Sequence, residues 1–287
     1  MLDVRQSRPP ARQPAEDGAI VATSTTLLDP GDLDVLGPIP VSGPAARVRK
    51  GVAARPAAIA RGERPLVVYE QLRDLIVHGH LAPGGRIVES DVAARLGVSR
   101  TPVRGALQRL QQEGYIVDAS GGRLARPMVA PLTSEDAREL FHMVAEIEGL
   151  AARWAAARPT GERRTVVRVL RALNADFRRE AEIRRPDFNR LHDLDTSFHR
   201  SYVEAGAGPR LLALHTIIKP QAERYERLYL SLLVSDLKSS VAEHEAIAAG
   251  IERGDADAAQ RAVQTNWRNA AGRLERVIDR AGERGSW

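Results

Sequence analysis

The stretch AARLGVSRTPVRGALQRL, residues 93–110, decides how the rest of the chain is interpreted. Gly97 follows a short helical pattern, and glycine is the residue that best tolerates the left-handed turn ending a helix. Ser99 or Thr101 is suited to cap a second helix, with Pro102 in its first turn, where a missing N–H costs nothing. Apolar residues then recur at helical spacing and predict a buried stripe: Val103, Ala106, Leu107 and Leu110. Two helices around a glycine turn are typical of a helix-turn-helix.

Arginines give the second of these predicted helices its chemistry. Arg100 and Arg104 are four positions apart, Arg109 lies further along, and no acidic residue occurs between Arg95 and Arg109. The second helix of a helix-turn-helix presents such side chains to base edges and phosphates of duplex DNA. The stretch therefore predicts a DNA-reading unit.

Composition limits the class of protein. The formal net charge of +5 over 287 residues is modest, so the basic character that matters is local. The chain has no cysteine, which excludes disulfides and thiolate zinc sites and suits a reducing compartment. The first residues lack the apolar core of a signal peptide, and no apolar run approaches the roughly 20 residues of a membrane span. We therefore expect a cytoplasmic protein with no membrane partner.

Pattern changes divide the chain into three segments. Residues 1–62 are rich in Pro, Ala, Gly and Arg and contain no aromatic residue, which predicts a disordered tail. Residues 63–131 combine a first helix, the helix-turn-helix and a β-hairpin around a Gly-Gly turn, and so predict a winged helix. The first helix is expected to bury Leu66, Tyr69, Leu72, Leu75 and Ile76, and the hairpin strands are expected at residues 115–118 and 123–126.

Residues 132–282 show helical patterns alone and predict a bundle of six or seven helices. Pro220 is expected to kink or break one of them. The helices are expected near residues 133–157, 162–184, 187–205, 210–234, 238–253 and 255–281. The predicted fold is thus mainly α, with an N-terminal winged helix-turn-helix followed by an all-α bundle.

The chain resembles the GntR superfamily of bacterial transcription regulators at fifteen contiguous positions, from Leu96 to Leu110. The resemblance includes Gly79-x-Leu-x-Pro-Gly-x-Arg-Ile before this stretch and Glu113-Gly-Tyr-Ile after it. The C-terminal half is similar to the FCD ligand-binding domain of the FadR-like subfamily. The resemblance implies a homodimer that binds a palindromic operator and changes its affinity when a small molecule enters the bundle. Repression is the commoner outcome in the family, and activation stays open.

The resemblance also implies which residues contact DNA. Arg100, Thr101 and Arg104, preceded by Ser99, match the recognition-helix positions, and Gly122 and Arg123 match the tip of the wing. An arginine near the start of such a helix offers two donors to guanine, worth about 1–3 kcal/mol of discrimination. Two positions depart from the family pattern. Ser90 replaces a frequently basic contact residue, and Gly105 replaces the usual glutamate, which costs about 1 kcal/mol of helix stability relative to alanine.

A metal site is the second implication of the resemblance. Asp195 and His199 are four positions apart, so a helix projects both from one face, and His244 lies on a later helix. With Asn266, they match the four metal-ligand positions of the FCD group, where the fourth ligand is usually histidine. Imidazole suits zinc or nickel, and an amide oxygen shifts the preference towards harder ions such as manganese. The spacing alone, without the resemblance, favours a polar pocket that binds no metal.

The effector site also departs from the family. A first-bundle-helix arginine that pairs with a ligand carboxylate is absent, because Val144 ends the corresponding Leu-Phe-His-Met-Val segment. We expect either a less acidic effector or a substitute arginine, Arg224 or Arg227. The identity of the effector, the operator sequence and the regulated pathway stay open.

Two other classes of function compete with a regulator. Asp195, His199 and His244 around a metal could activate water, which would make the chain an enzyme. No general base stands in a recognisable motif, so we expect no enzymatic activity. A helical interaction protein whose winged helix contacts protein or structured RNA is the other alternative, and the arginine pattern argues against it.

Overall fold

The computed structural model describes residues 64–118, 126–233 and 237–285, and the predicted tail lies outside them. The N-terminal elements are three helices and two short strands: α1 (Arg64–Val77), α2 (Glu89–Leu96), α3 (Arg100–Gln112), β1 (Ile116–Asp118) and β2 (Pro127–Val129). The remaining elements are helical: α4 (Ser134–Ala156), α5 (Thr160–Ala181), α6 (Phe188–Gly206), α7 (Pro209–Tyr229), a 3-10 turn (Leu230–Leu232), α8 (Leu237–Arg253) and α9 (Ala256–Ala281). The predicted fold class is confirmed.

The helix-turn-helix forms as its sequence predicts. Gly97 ends α2 in the left-handed conformation, at φ 65°, and donates its N–H to the carbonyl of Ala93. Ser99 is the N-cap residue of α3, although its side chain makes no capping hydrogen bond. The expected stripe of α3 is buried. Leu66 was wrongly expected in the core and is 52 % exposed, because it lies two residues before the fully buried Val68 and thus across the helix from it.

The two strands form an antiparallel hairpin. Ile116 pairs with Val129 and Asp118 with Pro127, so the second strand lies at 127–129 and the expected strand at 123–126 was misplaced. The apolar residues explain the register, since it places Ile116 and Val129, each 1 % exposed, together in the core. The Gly-Gly turn falls within residues 119–125, outside the described residues.

The helices of the bundle begin and end close to their expected positions. Side chains of Thr133, Asp187 and Asp255 accept backbone N–H groups at the starts of α4, α6 and α9. Of the kink or break expected at Pro220, the break does not occur, because α7 continues through the proline. Ala222 and Tyr225, in the turn after the proline, are fully buried, so packing outweighs the single hydrogen bond that proline removes.

The segment after α9 touches the N-terminal elements. Leu132 and Arg284 exchange two backbone hydrogen bonds of 2.8 and 3.1 Å. Gly285 crosses Gly84 so closely that a Cβ on Gly84 would lie 2.7 Å from the Cα of Gly285. Because Gly84 lies in the turn between α1 and α2, the end of the last helix contacts the unit that holds the helix-turn-helix. None of the described helices is long and apolar enough to cross a bilayer.

Candidate metal centre and nucleic-acid interface

Three residues predicted to bind a metal come together in the bundle. Asp195 and His199 lie on α6 and His244 on α8, with one potential ligand atom from each within 4.8 Å of the others. The distance from His244 Nε2 to Asp195 Oδ1 is 3.3 Å, and from His199 Nε2 to Asp195 Oδ2 it is 4.0 Å. Both histidines are almost fully buried. These separations leave room for an ion between the three side chains.

The orientation of His244 favours a metal. Asn174 donates its Nδ2 to the carbonyl of Val241 at 3.0 Å, which leaves its Oδ1 as an acceptor 3.2 Å from His244 Nδ1. His244 therefore carries its proton on Nδ1 and exposes a lone pair at Nε2. That buried Nε2 forms no well-aligned hydrogen bond, and Asp195 Oδ1 lies 3.3 Å from it. A buried imidazole lone pair directed at an ionised carboxylate is a geometry that a cation shared by the two groups would stabilise.

A carboxylate that the sequence analysis missed holds His199. Glu148 on α4 is fully buried, and its Oε2 lies 2.7 Å from His199 Nδ1. The same oxygen accepts hydrogen bonds from Tyr202 Oη at 2.6 Å and Trp267 Nε1 at 2.9 Å. Its Oε1 lies 2.9 Å from Nε2 of His215. This pattern turns His199 Nε2 towards Asp195, as carboxylate–histidine pairs do at metal sites.

The protonation states of Asp195 and His244 suit metal ligands. Burial raises the pKa of Glu148, but His199 and His215 more than offset this and hold it well below its usual range. Burial likewise acts to raise the pKa of Asp195, yet the neighbouring rings of His244 and His199 lower it. For His244, burial lowers the pKa. At neutral pH Asp195 is ionised and His244 neutral, the forms that bind a cation. Burial acts to lower the pKa of His199, but Glu148 and Asp195 outweigh it and raise that pKa, so His199 must release a proton to bind a cation.

A cavity that opens to solvent lies beside the cluster. Asp195, His199 and Asn266 line it. Asn266 donates its Nδ2 to Glu243 Oε2 at 2.9 Å, which leaves its carbonyl oxygen available. The wall is largely apolar, with a few polar groups: Phe141, Phe177, Leu191, His192, Glu226, Leu230, Leu233, Leu237, Ser240, Trp267, Ala270, Arg273 and Leu274. A largely apolar lining with a few polar groups suits a small organic molecule.

The two arginines considered for the effector lie elsewhere. Arg224 is 5 % exposed and donates its Nη2 to the backbone carbonyl of Ala130 at 2.7 Å. Arg227 lies near His192. Burial of His192, followed by the positive charge of Arg227, lowers the pKa of this histidine to about 4. Neither is among the described residues that line the cavity. Arg224 instead joins α7 to the segment that precedes α4.

The residues predicted to contact DNA lie at the start of α3. Ser99, Arg100, Thr101 and Arg104 are all exposed. Arg104 forms a two-point ion pair with Glu89, a residue that sequence reasoning did not single out. Ser90 donates its hydroxyl to Asp91 Oδ1 at 3.2 Å. Gly122 and Arg123 lie outside the described residues.

Known families match both halves of the chain. Residues 66–124 match the family described as bacterial regulatory proteins, gntR family. Residues 139–269 match the FCD domain. The first match runs from within α1 to residue 124, after β1, and the second covers the bundle that holds the Asp/His/His cluster.

Individual relatives agree with these matches. The chain is 30 % identical over 214 residues to an uncharacterised HTH-type transcriptional regulator in an unstable DNA locus of Streptomyces ambofaciens, covering 73 % of this chain and 84 % of that protein. A probable D-xylose utilization operon transcriptional repressor of Paenarthrobacter nicotinovorans is 28 % identical over 205 residues, 68 % of this chain and 84 % of that protein. The fold is similar to that of E. coli McbR/YncC, with a TM-score of 0.57 and 18 % identity over 74 % of this chain and 97 % of that one.

Proposed function

This chain belongs to the gntR family of bacterial regulatory proteins with a C-terminal FCD domain, and we propose that it is a homodimeric repressor of a palindromic operator. It is a DNA-binding transcription regulator whose activity responds to an effector, and it is not an enzyme. We assign DNA binding to residues 63–131 and effector binding and dimerisation to residues 132–282. Repression is supported by the name of the Paenarthrobacter relative. A cytoplasmic location follows from this role.

The exposed start of α3 carries the proposal for DNA recognition. Arg100 and Arg104 lie four residues apart on a helix, and both are exposed in the described structure. Inserted into a major groove, such guanidinium groups donate to the N7 and O6 atoms of guanine. The backbone N–H groups at the start of α3 suit a phosphate, and Arg123 on the wing is proposed to reach the minor groove.

Exposed apolar side chains on α4 and α7 support a second copy of the chain as the partner. Met143 and Trp154, 39 % and 42 % exposed, lie three helical turns apart on α4. Leu214 and Ile217, 53 % and 38 % exposed, lie one turn apart on α7, which packs against α4. A twofold-symmetric pair reads two half-sites about one helical turn of DNA apart, which is why a palindrome is the expected operator.

We further propose that Asp195, His199, His244 and Asn266 hold a divalent metal at the wall of the effector cavity. The observation that supports it is the orientation of His244 Nε2, which lies 3.3 Å from Asp195 Oδ1 without a well-aligned hydrogen bond. Two imidazoles favour zinc or nickel, and the oxygens of Asp195 and Asn266 keep manganese as an alternative. A bound metal supplies a cationic contact for an oxygen of the effector. The apolar wall then selects the body of the molecule.

The effector acts by linkage. A ligand that favours one placement of the two winged helices changes operator affinity by the ratio of its affinities for the two arrangements. The contacts that end α9 support a route for this coupling. Asn266 and Trp267 of the cavity lie on α9, and the residues after α9 contact Leu132 and Gly84.

The experiment that tests the function is operator selection from a random duplex library, followed by equilibrium binding at two salt concentrations. We expect a palindromic site, bound with an affinity that falls steeply with salt. Arg100→Ala and Arg104→Ala should lose operator binding. Arg109→Ala should keep it, because the Arg109 guanidinium group lies over the ring of Tyr69 on α1, 3.8 Å from its centroid. Failure to enrich any sequence would contradict the proposed function.

A further inference from the structure

The guanidinium group of Arg104 is held in place before any DNA is bound. Its Nε donates to Glu89 Oε1 at 3.1 Å and its Nη2 donates to Glu89 Oε2 at 3.0 Å. Glu89 is the first residue of α2, fifteen positions before Arg104, so the pair spans the two helices of the helix-turn-helix. Parallel two-point contacts of this kind fix the plane of a guanidinium group as well as its position.

Folding stability does not account for this pair. The Arg104 side chain is 62 % exposed and that of Glu89 31 % exposed, and ion pairs at such exposed positions add little to stability. The hydrogen bond and charge of Arg104 lower the pKa of Glu89, so the carboxylate is ionised at neutral pH. A negative charge on the DNA-facing side of a recognition unit also opposes binding to phosphates. The Arg104–Glu89 pair must therefore offer an advantage in DNA recognition that offsets this repulsion.

That advantage lies in the edge of the Arg104 guanidinium group that Glu89 leaves unoccupied. Glu89 occupies the edge of the guanidinium group formed by Nε and Nη2, and leaves the outer edge formed by Nη1 and Nη2. That outer edge has the two parallel donors that match N7 and O6 of guanine. An arginine already fixed in a binding orientation loses less side-chain freedom when it meets the base.

We propose that Glu89 is a positioning residue for base recognition, which holds the outer edge of Arg104 towards guanine and disfavours DNA that offers no matching base. The proposal rests on the proposed function, because it requires α3 to enter the major groove. Glu89 thereby sets the ratio of operator affinity to affinity for other DNA. It acts through Arg104 and contacts no base itself.

The test measures the affinity of each variant for the selected operator and for a scrambled duplex of equal length. Glu89→Ala should tighten binding to the scrambled duplex and weaken operator binding, so that the ratio falls about tenfold. Asp91→Ala is the matched control, because Asp91 lies in the same first turn, carries the same charge and hydrogen-bonds to Ser90 rather than to an arginine. It should leave the ratio unchanged. Equal changes on both duplexes for Glu89→Ala would overturn the proposal.

A double-mutant cycle identifies the route. In an Arg104→Ala background, adding Glu89→Ala should leave the ratio unchanged, since the residue that Glu89 orients is gone. A further tenfold loss there would overturn the proposal. Thermal unfolding of each variant verifies folding. Glu89→Gln keeps the size of the side chain but accepts at one oxygen only, so it should lower the affinity ratio less than Glu89→Ala does. If the wild-type chain selects no operator, the proposed function fails, which this series distinguishes from a failure of Glu89 alone.

Discussion

Replacing Glu148 by glutamine should weaken metal binding without removing a metal ligand. The carboxylate oxygen Oε2 accepts from three donors and turns Nε2 of His199 towards Asp195. Glutamine has nearly the same shape but no charge, so His199 becomes a weaker donor to the metal and its ring orientation loosens. Loss of such an outer partner typically lowers metal affinity about 10–100-fold. This corresponds to about 1.4–2.7 kcal/mol of binding free energy.

The assay is isothermal titration of purified protein with zinc, nickel and manganese in turn. Glu146→Gln provides the control, because Glu146 lies on the same helix but is exposed and pairs with Gln264 and Arg268. It removes the same charge and should leave the affinity within about twofold of wild type. The reasoning is refuted if Glu148→Gln binds each metal as tightly as Glu146→Gln while both variants stay folded.

Three further predictions concern assembly and stability. Trp154→Glu places a charge among the exposed apolar residues of α4 and should convert a dimer into monomers, measured by sedimentation; an unchanged dimer would exclude that face. Gly206→Ala should lower the free energy of unfolding by about 3 kcal/mol, because the new Cβ would lie 2.0 Å from the carbonyl oxygen of Ala151. Gly105→Ala should raise the free energy of unfolding by about 1 kcal/mol, because its Cβ would meet nothing within 4 Å. His192 has a pKa near 6.5 in the unfolded chain and about 4 in the folded protein, so acid favours the unfolded state. Lowering the pH from 7 to 4.5 should therefore reduce the free energy of unfolding of wild type by about 2–3 kcal/mol more than that of His192→Phe, measured by denaturant titration. Equal reductions in the two proteins would contradict this prediction.

Local patterns predicted the fold well because each depends on neighbouring residues. Gly97 and the apolar stripe of α3 required only helical spacing and the conformational freedom of glycine. The second hairpin strand was misplaced, and α7 is unbroken at Pro220, because tertiary packing decided both. The buried residues after Pro220 hold α7 together, and the burial of Val129 selects the strand register.

The candidate site divides in the same way. Asp195 and His199 share a helical face, so their proximity followed from spacing, whereas the approach of His244 depended on the family resemblance. Glu148 was missed although a signal existed, since a carboxylate stood in the buried stripe of α4 between Val144 and Ala152. Arg224 was assigned to the effector because sequence shows charge but not partner, and its partner is the carbonyl of Ala130.

The most direct measurement of the central claim, that α3 lies in the major groove of an operator, uses the absence of cysteine from the chain. Gln108→Cys, on the exposed side of α3, provides a single attachment point for a DNA-cleaving iron chelate, and Glu245→Cys on α8 serves as the distant control. The account predicts two clusters of cleavage within the operator, about one helical turn apart, for the probe on α3 and none for the probe on α8. Operator-bound protein whose α3 probe leaves the DNA uncut would contradict it.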